Sequence, residues 1–198
     1  VMDAPPSPVW SSIAPAARPV KGCLPGGGVL YWAGEHFSGK AAVALRVSIS
    51  HPDWMDITGP GGAVTHGADQ DWYPDPWQRR AGCGPTAAAL IFAYLARRGP
   101  AWAPLYPQGR MDRAPFTAHM VRVWDYVTPV SHGLNRPEQM QAGMAAYAAS
   151  RGAALSPALF AFPGARTKRP PWEALEDFLR RSLARDCPVA FLNLHRGV

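Results

Sequence analysis

Gln78-Arg79-Arg80-Ala81-Gly82-Cys83-Gly84-Pro85-Thr86, running straight into the apolar stretch Ala87 to Ala96, decides how the rest of this chain is read. A segment that is apolar almost all round is a helix buried on every side. Gly99 supplies a stop, so the pattern predicts a central helix over Pro85 to Arg98. Proline is at home at the start of a helix, where its missing N–H is not needed, and glycine is tolerated at the N-cap. Cys83 therefore falls just ahead of the first turn. Unpaired N–H groups and the positive end of the macrodipole favour a thiolate there over a thiol, which makes Cys83 a candidate nucleophile. A free cysteine is just as often a small buried hydrophobe. Gln78 weighs on the side of chemistry, because an amide a few residues upstream of a nucleophile can donate to the oxyanion formed when a thiolate attacks a carbonyl.

Outward from this stretch, three more helices follow from three-to-four spacing of apolar residues. Pro115 to Val127 aligns Phe116, His119, Met120 and Val123; Arg136 to Arg151 aligns Met140, Met144, Tyr147 and Ala148 and closes at Gly152; Trp172 to Arg185 aligns Leu175, Phe178, Leu179 and Leu183. On its face His119 reads as a core or boundary residue and not as a base. Strands are expected at Val29 to Trp32, Ala41 to Ile49, Leu155 to Phe162 and Cys187 to Leu194, from short apolar runs bounded by turn formers. Residues 51 to 78, rich in Gly, Pro, Asp and Trp, are expected to form a long surface loop. Residues 1 to 28 offer little to bury and are expected to be a disordered or irregular arm, with 29–71 preceding the core and 72–198 forming the main domain. The fold class expected is α+β, helices packed on an antiparallel sheet.

Gln, then Cys-Gly-Pro, then the small-residue helix Thr86-Ala87-Ala88-Ala89-Leu90-Ile91-Phe92-Ala93-Tyr94-Leu95 resembles the C39-like group of papain-fold cysteine peptidases. His119-Met120 with Val123 to Pro129, and Pro188 to Leu194, are similar to the same group, so the resemblance covers roughly Trp72 to the end. It implies a papain-like fold with Cys83 as nucleophile at the N-terminus of the central helix. It also implies an oxyanion hole made of Gln78 and the Cys83 backbone N–H, although the family's Gln usually stands one residue further from the Cys. The group's general base opens a strand with a His-aromatic-Val pattern, followed by an orienting Asp or Asn, and neither occurs among the six histidines and the residues after them. The expectation is a fragment whose base lies beyond Val198. His195, at the end of the expected strand, is the rival within the chain.

Composition excludes several classes. With 198 residues, 47% hydrophobic and 17% charged, the chain can bury a core. No apolar run reaches about 18 residues, so no membrane span is expected, and the start lacks the basic and apolar regions of a signal peptide. A cytoplasmic location follows as the default. The net charge is +6, but seventeen Arg against three Lys are scattered in pairs such as Arg79-Arg80 and Arg180-Arg181, so no nucleic-acid partner is expected. Cys23, Cys83 and Cys187 form neither a zinc spacing nor a disulfide framework, and the chemistry implied needs no metal or organic cofactor.

Rival motifs fall away on context. Gly34 to Lys40 has phosphate-loop spacing, but Ala41 stands where Ser or Thr must hold magnesium, ahead of an expected strand. His51-Pro52-Asp53 lacks flanking basic helices. Ser150, in a near miss to a nucleophile elbow, ends a helix instead of joining strand to helix. Asp53, Asp56, Asp69, Asp71 and Asp75 match no calcium-loop spacing. The function expected is a cysteine peptidase or related acyl-transfer enzyme acting on a peptide, amide or thioester carbonyl. The alternative is a peptide-binding module that keeps the fold and cleft but lacks a base.

Overall fold

The computed structural model describes residues 47–129, 133–134, 136–161 and 170–191. In chain order these form two short strands, β1 (Asp56–Thr58) and β2 (Val64–His66), then five α-helices: α1 (Pro76–Ala81), α2 (Cys83–Arg97), α3 (Arg113–Trp124), α4 (Pro137–Ser150) and α5 (Trp172–Ala184). The class is α+β. The arm over 1–28, the expected strand at Val29 to Trp32, the phosphate-loop spacing at Gly34 to Lys40 and His195 lie outside the described residues.

The centre is α2, eleven of whose fifteen residues are buried, which is what an all-round apolar helix must achieve to be stable in water. It packs against α3, α4 and the single helical turns at Pro52–Met55 and Ala103–Leu105. Phe92 of α2 meets Tyr147 of α4 with ring centroids 4.6 Å apart. Tyr106, Phe116 and His119 close the α3 side with edge-on and tilted contacts. Each large apolar side chain so enclosed contributes about 1.5–3 kcal/mol. The apolar stripe expected on α3 is the buried one: Phe116, His119, Met120 and Val123 are all fully enclosed.

Two helices end in the same way. Gly152, at φ 72°, follows α4, and the N–H groups of Gly152 and Ala153 donate to the carbonyls of Ala149 and Ala148. Asp186, at φ 58°, follows α5, and the N–H groups of Asp186 and Cys187 donate to Leu183 and Ser182. Both are Schellman caps that satisfy the last carbonyls of their helices. Glycine reaches this left-handed geometry freely; aspartate is held there by partners discussed below.

The expected sheet is corrected. Among the described residues the only named strands are β1 and β2, which pair antiparallel in the register Asp56↔His66, Ile57↔Thr65, Thr58↔Val64. Apart from an isolated bridge position at Pro157, residues 155–161 and 187–191 of the segments expected as strands are irregular, as are 47–49 of the earlier one. An extended run becomes a strand only when a neighbour completes its ladder. Pro157 and Pro188 also lack the N–H a ladder needs. Nor is 51 to 78 one irregular loop. It holds the β1–β2 hairpin, turned at Gly61 and Gly62 with φ 73° and 81°, and the start of helix α1. Buried Ile57 anchors the hairpin to the core, and Thr58 N–H donates to the Met111 carbonyl at 2.7 Å.

A candidate active-site cleft at the start of the central helix

Helix α1 is a consequence of Asp75-Pro76. The Asp75 carboxylate accepts from the N–H groups of Trp77 and Gln78 at 2.8 and 3.1 Å, and Pro76 takes the first helical position. One residue, Gly82, separates α1 from α2 and is the N-cap of α2. Cys83 is thus the first residue of α2, two places further in than expected, and Pro85 the third. Neither first-turn position needs an N–H from proline, so the sequence signal holds with a shift of register.

Packing explains the glycines on either side of the cysteine. A Cβ on Gly82 would stand 2.6 Å from the Tyr73 ring and 2.4 Å from the Gln78 carbonyl oxygen. One on Gly84 would stand 1.9 Å from Leu134 Cδ1. Tyr73 and Leu134 are both buried, so the chain passes between two fixed side chains with no room for substituents. Between those buried glycines the Cys83 side chain is exposed.

Cys83 opens onto a cleft of about 670 Å³. Its helical wall is Cys83, Thr86, Ala87 and Leu90, spaced as one stripe of α2. The opposite wall is the continuous segment from Thr65 through Trp72, leaving the second strand of the hairpin. Asp69 and Asp71 make that wall acidic, although the Asp69 carboxylate is engaged by the Asp71 N–H at 2.9 Å. Trp72 is braced from behind by Arg113, whose guanidinium lies 5.0 Å from the ring centroid. Tyr73, beneath Cys83, is no proton acceptor. Burial pushes its phenol above the ordinary range, and its hydroxyl donates to the Met120 carbonyl at 3.3 Å.

Gln78 sits half-buried in the middle of α1, with its backbone N–H spent on Asp75. It is not among the side chains that line the cleft. The glutamine that does line it is Gln70, whose Nε2–H donates to the Arg79 carbonyl at 2.8 Å and so ties the wall to α1.

The cleft also contains a histidine to which the sequence pattern assigns no role. His66 lines it, and Nδ1 of its ring lies 2.5 Å from Asp56 Oδ1. The strand register places these two residues directly opposite each other. His119, by contrast, is fully enclosed: its Nε2–H donates to the Ala89 carbonyl at 3.2 Å, and Tyr147 Oη lies 3.4 Å from Nδ1. Burial drives its pKa down to about 3, so it is a neutral core residue.

Among the described residues no three His, Cys, Asp or Glu side chains are grouped to hold a metal, and no helix is long and apolar enough to cross a membrane. No protein-family model matches the chain, and neither does any curated protein or solved structure.

Proposed function

We propose that this chain is a cysteine-dependent acyl-transfer enzyme, a peptidase or close relative of the C39-like papain-fold type, acting on a peptide, amide or thioester carbonyl with Cys83 as nucleophile. The observation that carries the proposal is the exposed Cys83 thiol at the first turn of a buried fifteen-residue helix, facing a cleft of about 670 Å³. Two buried glycines hold that turn in place, so the sulfur has a fixed position from which to meet a carbonyl. Oxyanion stabilisation falls to the Cys83 backbone N–H and the Gln78 amide, the latter after a side-chain rotation toward the cleft. The wall from Thr65 to Trp72, with Trp72 for apolar contact and Asp71 for a basic group, supports a peptide as the substrate.

The test uses the whole protein against a panel of peptide amides and acyl thioesters, with trapping of the acyl-enzyme on Cys83 by mass spectrometry. Cys83→Ala is expected to lower turnover by about 10³-fold or more, and Gln78→Ala by about 10- to 100-fold. Turnover that survives Cys83→Ala would remove the nucleophile assignment. Saturable binding of peptides with no turnover at all would favour the non-catalytic binding module.

A further inference from the structure

The reaction needs a proton acceptor, and the cleft contains one. We propose that His66, oriented by Asp56, is the general base of the Cys83 reaction; this rests on Cys83 being the nucleophile proposed above and puts the base before the cysteine in the chain, in place of the one expected beyond Val198. The two residues face each other across the hairpin ladder, with Nδ1 2.5 Å from the carboxylate oxygen. A carboxylate can only accept, so Nδ1 carries the hydrogen and Nε2 is left as the free lone pair. The His66 side chain is 89% exposed, and the residue borders the same cleft as Cys83. A ring fixed in one tautomer by a carboxylate, on the wall of the cleft that a thiol also lines, is an arrangement that can activate that thiol.

The steps balance without a co-reactant beyond water. Nε2 takes the proton of the Cys83 thiol, and the thiolate attacks the carbonyl carbon, forming a C–S bond while the C=O pair moves to oxygen. Collapse of that intermediate breaks the bond to the leaving amine, which receives the proton from His66. Water then gives a proton to Nε2 and attacks the thioester carbon. The C–S bond breaks, and the proton returns to sulfur. The Asp56 carboxylate stays ionised throughout and stabilises the imidazolium.

The His66 side chain is 89% exposed and pairs only with Asp56 on the hairpin, so substitution there leaves the core untouched. The expectation is that His66→Ala lowers turnover by about 10²- to 10⁴-fold. Asp56→Asn, which keeps the shape but loses the charge, is expected to lower it about 10-fold or more. A second readout needs no substrate. Iodoacetamide modification of Cys83 near neutral pH should slow several-fold in His66→Ala, and its pH profile should lose the limb set by the imidazole. The groups that also shape that profile are Asp56 on β1, Asp69 and Asp71 on the cleft wall and Tyr73 beneath the thiol, so Asp69→Asn and Asp71→Asn serve as charge controls. Turnover that falls with Cys83→Ala but not with His66→Ala would overturn the base and leave the nucleophile standing. Turnover indifferent to both would overturn the function itself, while the alkylation profile would still decide whether His66 and Cys83 are coupled; an unchanged profile rejects the pairing.

Discussion

The two cysteines of the described chain lie at opposite ends of the same helix and have opposite fates. Cys83, at the start of α2, is exposed and borders a cleft. Cys187, beside the end of α2, is 4% exposed, with Arg98 Nη1 4.0 Å from its sulfur and the Arg185 carbonyl 3.7 Å away. Around Cys83 the neighbours are glycines and a groove. Around Cys187 they form a polar clamp: Asp186 accepts from Tyr94 Oη, from the Ser50 N–H at 2.7 Å and from Arg98 Nε at 3.0 Å. One end of the helix is built to present a side chain and the other to be locked. The same residue type is therefore reactive or inert according to what the chain packs around it.

The most severe trial of that contrast is differential alkylation of the native protein with peptide mapping, which also separates Cys23. Cys83 is expected to be modified on the order of 10²-fold faster than Cys187, since the latter needs local opening. Equal rates would mean that the clamp opens as readily as the cleft. On unfolding in denaturant the two should converge.

A second trial concerns the passage between Tyr73 and Leu134. Gly84→Ala would drive a Cβ to 1.9 Å from Leu134 Cδ1, and a loss of about 1–3 kcal/mol by denaturant titration is expected. The substitution would otherwise favour the helix, so stabilisation by Gly84→Ala would show that Leu134 yields freely. In a Leu134→Ala background the penalty should shrink, because the obstructing atoms are gone.

How much of this was legible in the sequence depends on whether the determining contacts are local. The four long helices follow from apolar spacing and from Pro and Gly at their ends, and their bounds differ from expectation by three residues at most. Cys83 at a helix start was equally legible, because Gly84 and Pro85 act within one turn, although the N-cap is Gly82 and the helix begins two residues earlier. The segments Leu155 to Phe162 and Cys187 to Leu194 have strand composition, but a ladder is a property of two segments and composition describes one. The Asp56–His66 pair was hidden for the same reason: ten positions separate its members, and only the hairpin register brings them together. A signal was present in Gly59-Pro60-Gly61-Gly62 between two β-branched runs, which marks a turn and would have fixed the register. The capping of α1 by Asp75, three residues before Gln78, was readable too, and it gives Gln78 a structural place independent of any oxyanion.

A third trial probes His119 by pH. His119 has a folded pKa of about 3, below its ordinary 6.5, so the folded state resists protonation. Between those values the unfolded chain binds the extra proton. The stability due to neutral His119 is therefore complete above pH 6.5 and lost progressively as pH falls toward 3. A slope approaching about 1.4 kcal/mol per pH unit is expected in that window. His119→Gln, which keeps a donor for the Ala89 carbonyl, should flatten it at some cost in stability. A slope between pH 6.5 and 4 that survived His119→Gln would place the acid sensitivity elsewhere than at His119.

The smallest expected effect probes the locked end of α2 by itself. Burial works against charge on Asp186, but the hydrogen bonds from Tyr94 and Ser50 and the Arg98 guanidinium outweigh it and hold the carboxyl below its ordinary value. That contribution is present above the ordinary carboxylate range and is lost as pH falls through the folded value. Asp186 also occupies the left-handed region, which costs a non-glycine residue about 1–2 kcal/mol. Asp186→Gly removes this strain together with the clamp, whereas Asp186→Asn keeps the side-chain shape and tolerates the same backbone. If the clamp outweighs the strain, both variants lose about 1 kcal/mol, and Arg98→Met costs less in the Asn background than in the native chain. If Asp186→Gly is instead the more stable protein, the clamp is incidental to a helix cap that glycine would serve better. In either case the alkylation rate of Cys83 should stay within about twofold, because sites far apart with no shared partner add independently. A larger change at Cys83 would show that α2 transmits the state of one end to the other and that its two ends are not separate devices.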